Sequence, residues 1–381
     1  MKKILVIMVA VMASLSSFAQ NGKKFTFTGQ LTDVKDTLEV WAVTIGENDF
    51  AKLTDVVTDN GKFTYTADFD KIKQLQFFIP QAQQVANGNR FLVRGIVMAV
   101  PGEQLHIEGT VEDYTMSGSA LYNDYRDILA IKNKGNEKQD AAYKLYEETI
   151  KKDSTKVEEA REALMKVYNE IRQQQANDLI IYIKQNPDKE ASAMALADVP
   201  TDQLPEALKA MGQSVKDGRM KQLVNSAEQQ YKAKVMKDEA KKKVAPGKVA
   251  PDFTLNDING KPFTLSSLRG KYVVLDFWGS WCGWCIKGMP DMKKYYEKYK
   301  GKFEIVGIDC NDTADKWKAA VEKHELPWIH VKSEKADAIP QKYAIEGYPT
   351  KLIINPDGTI NKVVVGEDPQ FYDYLDSLVG K

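Results

Sequence analysis

One short segment decides the fold of the last third of this chain: YVVLDFWGSWCGWC, residues 272–285. Its first part, Tyr272 to Phe277, is a run of apolar and β-branched residues that predicts a buried strand. The Cys-x-x-Cys sequence that follows opens a predicted helix. A thiol at a helix N-terminus faces unpaired N–H groups and the positive end of the helix dipole, which lowers the thiol pKa. Cys282 is therefore predicted to attack as a thiolate, and Cys285, one turn inward, to resolve the mixed disulfide.

A cysteine pair with this spacing has other uses. A zinc ribbon needs a second pair, and the chain has only Cys310 besides. A c-type haem site needs histidine directly after the second cysteine, where this chain has Ile286. A structural disulfide stays open as an alternative, although a bridge that closes so short a loop adds little entropic stabilisation. The residues favour a redox-active pair that uses no metal and no cofactor.

Asp276 interrupts the apolar strand before the cysteine pair. A carboxylate there is desolvated, and desolvation raises its pKa towards neutrality. It is then able to take the proton of Cys285, directly or through a water molecule, and to return it. The alternative is an aspartate at a strand end in contact with solvent. We predict the proton-transfer role for Asp276.

Strands and helices alternate around the motif from residue 252 to residue 381, which predicts an α/β unit. The predicted strands are 272–277, 303–309, 351–354 and 360–365, and the predicted helices are 284–299, 313–324 and 370–378. Residues 244–251, VAPGKVAP, predict a linker ahead of this unit. Cys310 closes one of the strands and is either a third thiol near the site or a buried structural cysteine.

Residues 20–118 predict a small antiparallel β domain. Polar and apolar residues alternate in several short runs, for example from Phe25 to Thr28. Asn60-Gly61 is a strong type I′ turn signal, so a hairpin is predicted between Val57 and Phe63.

Residues 119–243 predict a mostly helical region. The stretch from Glu147 to Ile183 is free of Gly and Pro, and its apolar residues recur at helical spacings. A last helix is predicted from about Arg219 to Lys243. Acidic residues interrupt its lysines, which is typical of a solvated helix face rather than of a nucleic-acid site.

The first residues, 1–19, predict a secretory signal peptide. Lys2 and Lys3 precede the apolar run from Ile4 to Leu15, and a small-x-small sequence ends at Ala19. The apolar run is short for a membrane span, which needs about 20 residues. We expect cleavage near Ala19 and export to the periplasm, where disulfides persist unless something reduces them.

Composition excludes some functions. The chain has 381 residues with 53 Lys+Arg and 53 Asp+Glu. This balance lacks the basic excess of a nucleic-acid-binding protein. Hydrophobic residues at 43 % and charged residues at 28 % are typical of folded domains rather than of disordered chains.

Several motifs recur in order in the last part of the chain. They are APDFTL at 250–255, FWGSWCGWC at 277–285, GYPT at 347–350 and INPDG at 354–358. Together they resemble the exported TlpA/ResA-like thiol-disulfide oxidoreductases, which have a thioredoxin fold, and the resemblance covers residues 247–381. The β segment around Asn60-Gly61 is similar to an uncharacterised domain often found ahead of such thioredoxin domains in Gram-negative exported proteins.

The resemblance implies substrate-binding roles near the cysteine pair. Pro349 would be a cis-proline that faces the cysteines, and Tyr348 would offer backbone groups to an extended substrate segment. Trp281 would cover the flank of the nucleophile. Trp284 would contact substrate too, and with Gly283 it would help to set the redox potential.

The chain also departs from these relatives. ResA-like proteins usually carry glutamate three residues after the second cysteine, where this chain has Gly288, and they commonly lack the strand aspartate. Our hypothesis is that the protein keeps one active-site carboxylate and supplies it from Asp276.

These observations predict an exported thiol-disulfide oxidoreductase that reduces or isomerises disulfides in cysteine-containing envelope proteins. Its expected electron donor is a membrane disulfide carrier. The residues outside the thioredoxin-like unit are expected to position substrates or to form a homodimer. One alternative is a binding or scaffold protein whose thioredoxin unit docks a partner without redox turnover. A thiol peroxidase is less favoured, because the sequence lacks a Thr-x-x-Cys motif.

Overall fold

The structure is a computed structural model that describes residues 23–80 and 94–380. The predicted signal peptide, residues 1–19, lies outside the described residues. Among the helices of the described part, none combines the length and the apolar character that crossing a membrane requires. The chain divides into two compact units, Met1–Tyr231 and Lys232–Lys381.

The first unit begins with two four-stranded sheets. Their strands are β1 Lys24–Leu31, β2 Thr37–Thr44, β3 Ala51–Val57, β4 Lys62–Asp68, β5 Lys73–Phe78, β6 Gly95–Ala99, β7 Gln104–Gly109 and β8 Tyr114–Gly118. One sheet has the order β4-β1-β7-β8 and the other β3-β2-β5-β6. In β1, Phe25, Phe27, Gly29 and Leu31 are buried while the residues that alternate with them are not, as expected where one face of a sheet lies on a core.

The prediction of a wholly antiparallel β domain is wrong for one strand pair. β1 and β7 run parallel, with Phe27 opposite Leu105. A tight turn cannot join parallel neighbours, which need a long crossover connection. Here the chain between them forms β4 and the four strands of the other sheet before it returns. Local sequence patterns do not reveal such a return.

The Asn60-Gly61 turn forms, but the predicted hairpin of paired strands around it is wrong. Both residues have positive φ angles, 47° and 80°, and Asp59 and Lys62 exchange backbone hydrogen bonds of 2.9 Å. However, β3 pairs with β2, whereas β4 pairs with β1 in the other sheet. The Leu31 N–H donates to the Gly61 carbonyl oxygen (2.9 Å), so the turn lies against the end of β1 and directs β4 onto it.

Helices follow the strands in the first unit. They are α1 Ala120–Asn133, α2 Asn136–Lys152, α3 Val157–Gln185, α4 Ala191–Ala195, α5 Leu204–Ala210, α6 Gln213–Asp217 and α7 Lys221–Lys243, whose residues beyond Tyr231 belong to the second unit. The strands and helices share one hydrophobic core, which includes Phe77, Tyr122, Ile183 and Val224.

The helix predicted from Glu147 to Ile183 is interrupted. Asp153 ends α2 with an extended backbone, and its carboxylate accepts the backbone N–H of Thr155 at 3.0 Å. An aspartate side chain that binds a neighbouring N–H competes with the helical hydrogen bonds. The chain therefore leaves the helix for one short turn before α3 begins at Val157.

The second unit is an α/β fold around a five-stranded sheet. Its elements are β9 Thr254–Asn256, β10 Pro262–Thr264, β11 Tyr272–Trp278, α8 Gly283–Lys298, β12 Phe303–Cys310, α9 Ala314–Lys323, β13 Ile329–Ser333, α10 Ile339–Lys342, β14 Thr350–Ile354, β15 Ile360–Val365 and α11 Gln370–Val379. The sheet order is β13-β12-β11-β14-β15. Strands β13, β12 and β11 are parallel, and β14 and β15 are each antiparallel to the preceding strand in that order.

The central strand β11 is buried on both faces, which explains its nearly continuous apolar sequence. Val274 and Trp278 join a core with α8 on one face, and Phe277 joins a second core on the other. The cysteine pair follows the carboxyl end of β11, where open α/β sheets place their ligand sites.

The predicted linker, residues 244–251, is bonded to the second unit. The Gly247 N–H donates to the Ile360 carbonyl oxygen at 2.7 Å. Val244 and Ala250 are buried in one of the two cores of that unit. This segment is therefore a packed part of the second unit.

Candidate active site

The cysteine pair lies at the junction of β11 and α8. Cys282 and Cys285 form a disulfide with an S–S length of 2.03 Å. Cys282 is the N-cap residue of α8, and its Sγ accepts the backbone N–H of Cys285 at 3.1 Å. A thiolate formed at Cys282 on reduction would therefore lie at the positive end of the helix and receive one of its free N–H groups. The position of the pair agrees with the sequence prediction.

Three aromatic side chains lie beside the cysteines, and we call them the aromatic rim: Trp281, Trp284 and Tyr348. The Trp281 side chain is 52 % exposed and that of Trp284 is 63 % exposed. Trp281 meets the Tyr348 ring edge to face at 5.1 Å, and the Lys287 ammonium lies 4.8 Å from the centre of the Trp284 ring. Exposed large apolar side chains grouped in this way are typical of a surface that binds a partner.

The loop that contains Tyr348 and Pro349 contacts the site through the Tyr348 ring. The Tyr348–Pro349 peptide bond is cis, as the family resemblance implies. The Thr350 hydroxyl donates to the Gly347 carbonyl oxygen, and the Gly366 N–H donates to that of Pro349, both at 2.7 Å. These bonds hold the loop, and the edge-to-face contact of Tyr348 joins it to the aromatic rim.

The loop between β11 and Cys282 is anchored to the end of β12. The Asp312 carboxylate accepts the Ser280 N–H (2.6 Å) and the Ser280 hydroxyl (2.8 Å). The Trp281 indole N–H donates to the Cys310 carbonyl oxygen at 3.0 Å. The Cys310 side chain is buried, and burial raises its pKa to about 12, so it is a neutral thiol near pH 7. Asp312 belongs to no recognisable sequence motif, so it was not predictable as a site residue.

Asp276 is buried in the middle of β11, not at a solvent-exposed strand end. It is 7 % exposed, and its Oδ1 has no hydrogen-bond partner among the described residues. It alternates with Val274 and Trp278, so it faces the same side as the core that contains Cys285. Burial raises the pKa of Asp276 to about 6, Lys351 opposes this rise and Glu367 adds to it. A carboxyl group with this pKa exchanges protons near neutral pH.

A lysine and a glutamate beside Asp276, which the sequence did not indicate as site residues, form an ion pair with little solvent exposure. Lys351 stands opposite Asp276 in the antiparallel register of β11 and β14. Its Nζ lies 2.7 Å from Oε2 of Glu367, and the two side chains are 3 % and 15 % exposed. A lysine directly before the apolar residues Leu352 to Ile354 was a usable signal. Glu367 lies in a loop, and no sequence pattern indicated it.

Glu367 also contacts the helix that carries the cysteines. The Tyr372 hydroxyl donates to its Oε1 at 2.9 Å. A Cβ atom at Gly288 of α8 would lie only 2.3 Å from its Oε2. The carboxylate therefore occupies the space beside Gly288. Besides Asp276, the surroundings of the cysteine pair thus include the carboxyl groups of Glu367, Asp309 and Asp312, of which Asp309 is fully buried, whereas the sequence hypothesis had a single carboxylate.

Within the described residues, no group of three or more His, Cys, Asp or Glu side chains is arranged to hold a metal ion. That the protein works without a metal or cofactor stays a prediction from the sequence.

The C-terminal part of the chain matches known proteins. Residues 246–363 match the family model of the AhpC/TSA family. The thiol-disulfide oxidoreductase ResA of Bacillus cereus is 37 % identical over 141 residues, which is 36 % of this chain and 81 % of the relative. The chain belongs to the ResA-like thiol-disulfide oxidoreductases. The ResA of Bacillus subtilis (strain 168) is 34 % identical over 36 % of this chain and 78 % of its own length. The protein is thus an oxidoreductase of the thioredoxin-like class in its C-terminal part.

Among solved structures, the thioredoxin domain of a thiol-disulfide oxidoreductase from Bacteroides vulgatus is 33 % identical. It covers 35 % of this chain and 98 % of its own, with a TM-score of 0.34. These similarities cover about a third of the length of this chain.

Proposed function

We propose that this oxidoreductase is exported to the periplasm and there reduces or isomerises disulfides of envelope proteins. The observation that carries the proposal is the Cys282–Cys285 pair at the N-terminus of α8, with the buried Asp276 carboxyl on the face of the sheet that α8 covers. The signal sequence in residues 1–19 supports export.

In the first step, the Cys282 thiolate attacks one sulfur of the substrate disulfide. A bond forms between the Cys282 Sγ and that sulfur, and the substrate S–S bond breaks. The other substrate sulfur leaves as a thiolate and takes a proton from water. The position of Cys282 at the positive end of α8 favours its attacking form at neutral pH.

In the second step, Cys285 gives its thiol proton to Asp276 and attacks Cys282. The disulfide between Cys282 and Cys285 forms, the mixed disulfide breaks, and the released substrate thiolate is protonated. Two electrons have passed from the protein dithiol to the substrate. A pKa of about 6 lets Asp276 both accept and release a proton in this cycle.

The aromatic rim and Pro349 would form the substrate surface. An extended substrate segment would lie against Trp281 and Trp284 and pair with the backbone of the Tyr348–Pro349 loop. Because Trp281 contacts Tyr348, the two sides of this surface are held together. As a reductase in an oxidising compartment, the protein needs an electron donor, for which we propose a membrane disulfide carrier. A homodimer through the first unit stays a prediction.

A resolving-cysteine variant tests this function. In Cys285→Ala the first step remains and the second is lost, so the variant should accumulate mixed disulfides with envelope proteins, identified by mass spectrometry after thiol trapping. The control Cys282→Ala should trap none. The purified parent protein should reduce insulin disulfides with dithiothreitol as donor. A parent protein without this activity, and a Cys285→Ala variant without adducts, would favour the scaffold function instead.

Export is tested separately by fractionation. The protein should appear in the periplasmic fraction with its N-terminus near Gln20, and a variant without residues 2–19 should stay in the cytoplasm. Recovery of the parent protein with an intact leader in the cytoplasm would contradict the proposal.

A further inference from the structure

A lysine and a glutamate form an almost completely buried ion pair beside Asp276. The Lys351 Nζ and Glu367 Oε2 are 2.7 Å apart, at hydrogen-bond distance, and little of either side chain reaches solvent. Removing two charges from water costs several kcal/mol per ion before their attraction is counted, so such a pair is weak evidence for a purely stabilising role. Its location suggests a different use.

Lys351 is placed to interact with two carboxyl groups. It is the cross-strand partner of Asp276, and side chains at paired positions lie on the same face of a sheet. It nevertheless makes its hydrogen bond to Glu367 rather than to Asp276, whose Oδ1 has no partner among the described residues. Without Glu367, the Lys351 ammonium would be available to Asp276 and would favour its charged form, which lowers its pKa.

Glu367 is held in place from two more sides. The Tyr372 hydroxyl donates to its second oxygen, Oε1, and the Gly288 carbonyl oxygen lies 3.3 Å from the same hydroxyl. The carboxylate itself fills the space beside Gly288, three residues after Cys285. Glu367 therefore lies between the lysine and the helix that carries the resolving cysteine.

Other titratable groups around Asp276 are neutral near pH 7 or belong to the reaction. Burial raises the pKa of Tyr372 far above its usual range, that of Cys310 to about 12 and that of Asp309, on the neighbouring strand β12, to about 8. Burial also lowers the pKa of His330, two strands away, to about 4. Cys285 is the proton donor of the proposed function. Lys351 and Glu367 are thus the charged residues whose fields act on Asp276.

We propose that Lys351 and Glu367 are positioning residues for the resolving step: Glu367 engages Lys351, and Asp276 thereby stays free to exchange a proton with Cys285. This inference rests on the proposed function of Asp276. In this inference, the Lys351–Glu367 pair adjusts the proton affinity of Asp276. Gly288, which has no side chain, leaves the space that the Glu367 carboxylate needs.

The test is a titration of the Asp276 carboxyl group by carbon-13 NMR in full-length protein, which does not depend on activity. Glu367→Gln frees Lys351 and should move the titration midpoint down by about one pH unit, whereas Lys351→Met should move it up by a similar amount. Asp376→Asn, which removes a carboxylate from an exposed ion pair with Lys298, is the matched control and should leave the midpoint unchanged. A pair whose charges do not act on Asp276 would leave the midpoint unchanged in both variants, and the dependence of the resolving rate on these shifts is a separate test.

Lys351→Met leaves Glu367 buried without its cation and could fail to fold. Gly288→Ala then provides the second variant, because its Cβ displaces the Glu367 carboxylate without removing a charge. It should lower the Asp276 midpoint as Glu367→Gln does. If neither Glu367→Gln nor Gly288→Ala lowers the midpoint, or if Glu367→Gln and Lys351→Met move it in the same direction, the inference is wrong.

The pH dependence of the resolving step separates this inference from the proposed function. The rate of release of a mixed disulfide from Cys282 should follow the same midpoint shifts in each variant. If the rate profile depends on Asp276 but the titration midpoints do not move, the pair has no role and the proposed function stands. If the midpoints move and no rate profile follows them, Asp276 is not the proton acceptor; the role proposed for Asp276 and this inference then both fail, whereas disulfide reduction through Cys282 and Cys285 is tested by the trapping experiment.

Discussion

At the residue scale, burial makes ionisation of the Asp276 carboxyl group unfavourable, and other interactions of the folded protein must offset this cost. Its pKa rises from 3.8 to about 6, mainly because burial disfavours the charged form. Since one pKa unit corresponds to about 1.4 kcal/mol, ionising Asp276 in the folded protein costs about 3 kcal/mol more than in the unfolded chain. A residue kept at such a cost is a functional candidate.

This cost predicts a pH-dependent stability. Between pH 3.8 and about 6 the folded protein binds more protons than the unfolded chain does, so the Asp276 contribution to stability falls as pH rises through this window. Asp276→Asn should therefore raise the free energy of unfolding at pH 8 by about 2–3 kcal/mol and change it little at pH 4. Urea titrations of the oxidised protein at both pH values measure the difference.

Asp376→Asn is a control for which the opposite change in the free energy of unfolding is expected. Although partial burial opposes it, hydrogen bonds from Tyr299 and Lys298 hold the pKa of Asp376 below its usual range. Its removal should lower stability slightly at pH 8. An Asp276→Asn variant that is destabilised at pH 8 to the same extent as at pH 4 would contradict a raised pKa for Asp276.

At the element scale, helix α8 carries the cysteines, follows strand β11 and contacts the Lys351–Glu367 ion pair. Its N-cap sulfur accepts a helix N–H, and its second turn leaves space at Gly288 for Glu367. Between the cysteines, a Cβ at Gly283 would meet no atom within 4 Å. A side chain at Gly283 therefore changes the charge near Cys282 without a steric conflict.

Gly283→Asp should raise the pKa of the Cys282 thiol, because a carboxylate in the first turn competes with the thiolate for the positive helix end. A rise of about one unit leaves about ten times less thiolate at pH 7. The pH dependence of alkylation by iodoacetamide measures it in a Cys285→Ala background, where Cys310 is buried. Gly283→Asn, with the same shape and no charge, should leave the profile near that of the parent. Equal effects of both variants would show that the shape of the side chain at position 283, not its charge, changes the pKa of the Cys282 thiol.

At the scale of the whole molecule, the two units have separate hydrophobic cores. The buried residues of the first core all precede Lys232, and those of the two cores in the second unit all lie from Val244 onward. Each unit therefore contains its own packed interior, as an independently folding domain does. Residues 244–251 contribute to the second of these interiors.

Fragments test this division. A fragment of residues 232–381 should fold alone, show one cooperative unfolding transition and keep insulin reductase activity. A fragment of residues 252–381 lacks Val244, Ala250 and the Gly247 hydrogen bond, and it should unfold at lower temperature. Thermal denaturation followed by circular dichroism makes the comparison. Equal melting temperatures would contradict a structural role for residues 244–251.

The local chemistry of the site was predictable from the sequence. The apolar run of β11, the Cys-x-x-Cys spacing and the interrupting Asp276 are neighbours along the chain, so strand, helix start and buried carboxyl follow from periodicity and capping. The Asn60-Gly61 turn was predictable for the same reason, because both residues adopt positive φ readily. The pairing of the strands on either side of that turn was not predictable, because it depends on contacts between segments that are distant in the chain.

By itself, the sequence determined the family of the C-terminal part and located the cysteine pair and the aspartate in the strand before it. Only the tertiary structure revealed that Lys351 and Glu367 meet beside Asp276 and that Gly288 leaves them space. These residues come from a strand, a loop and a helix that are distant in the chain, and their contacts follow only from the tertiary fold. The proton affinity of Asp276 depends on burial and neighbouring charges, which are properties of the packed molecule.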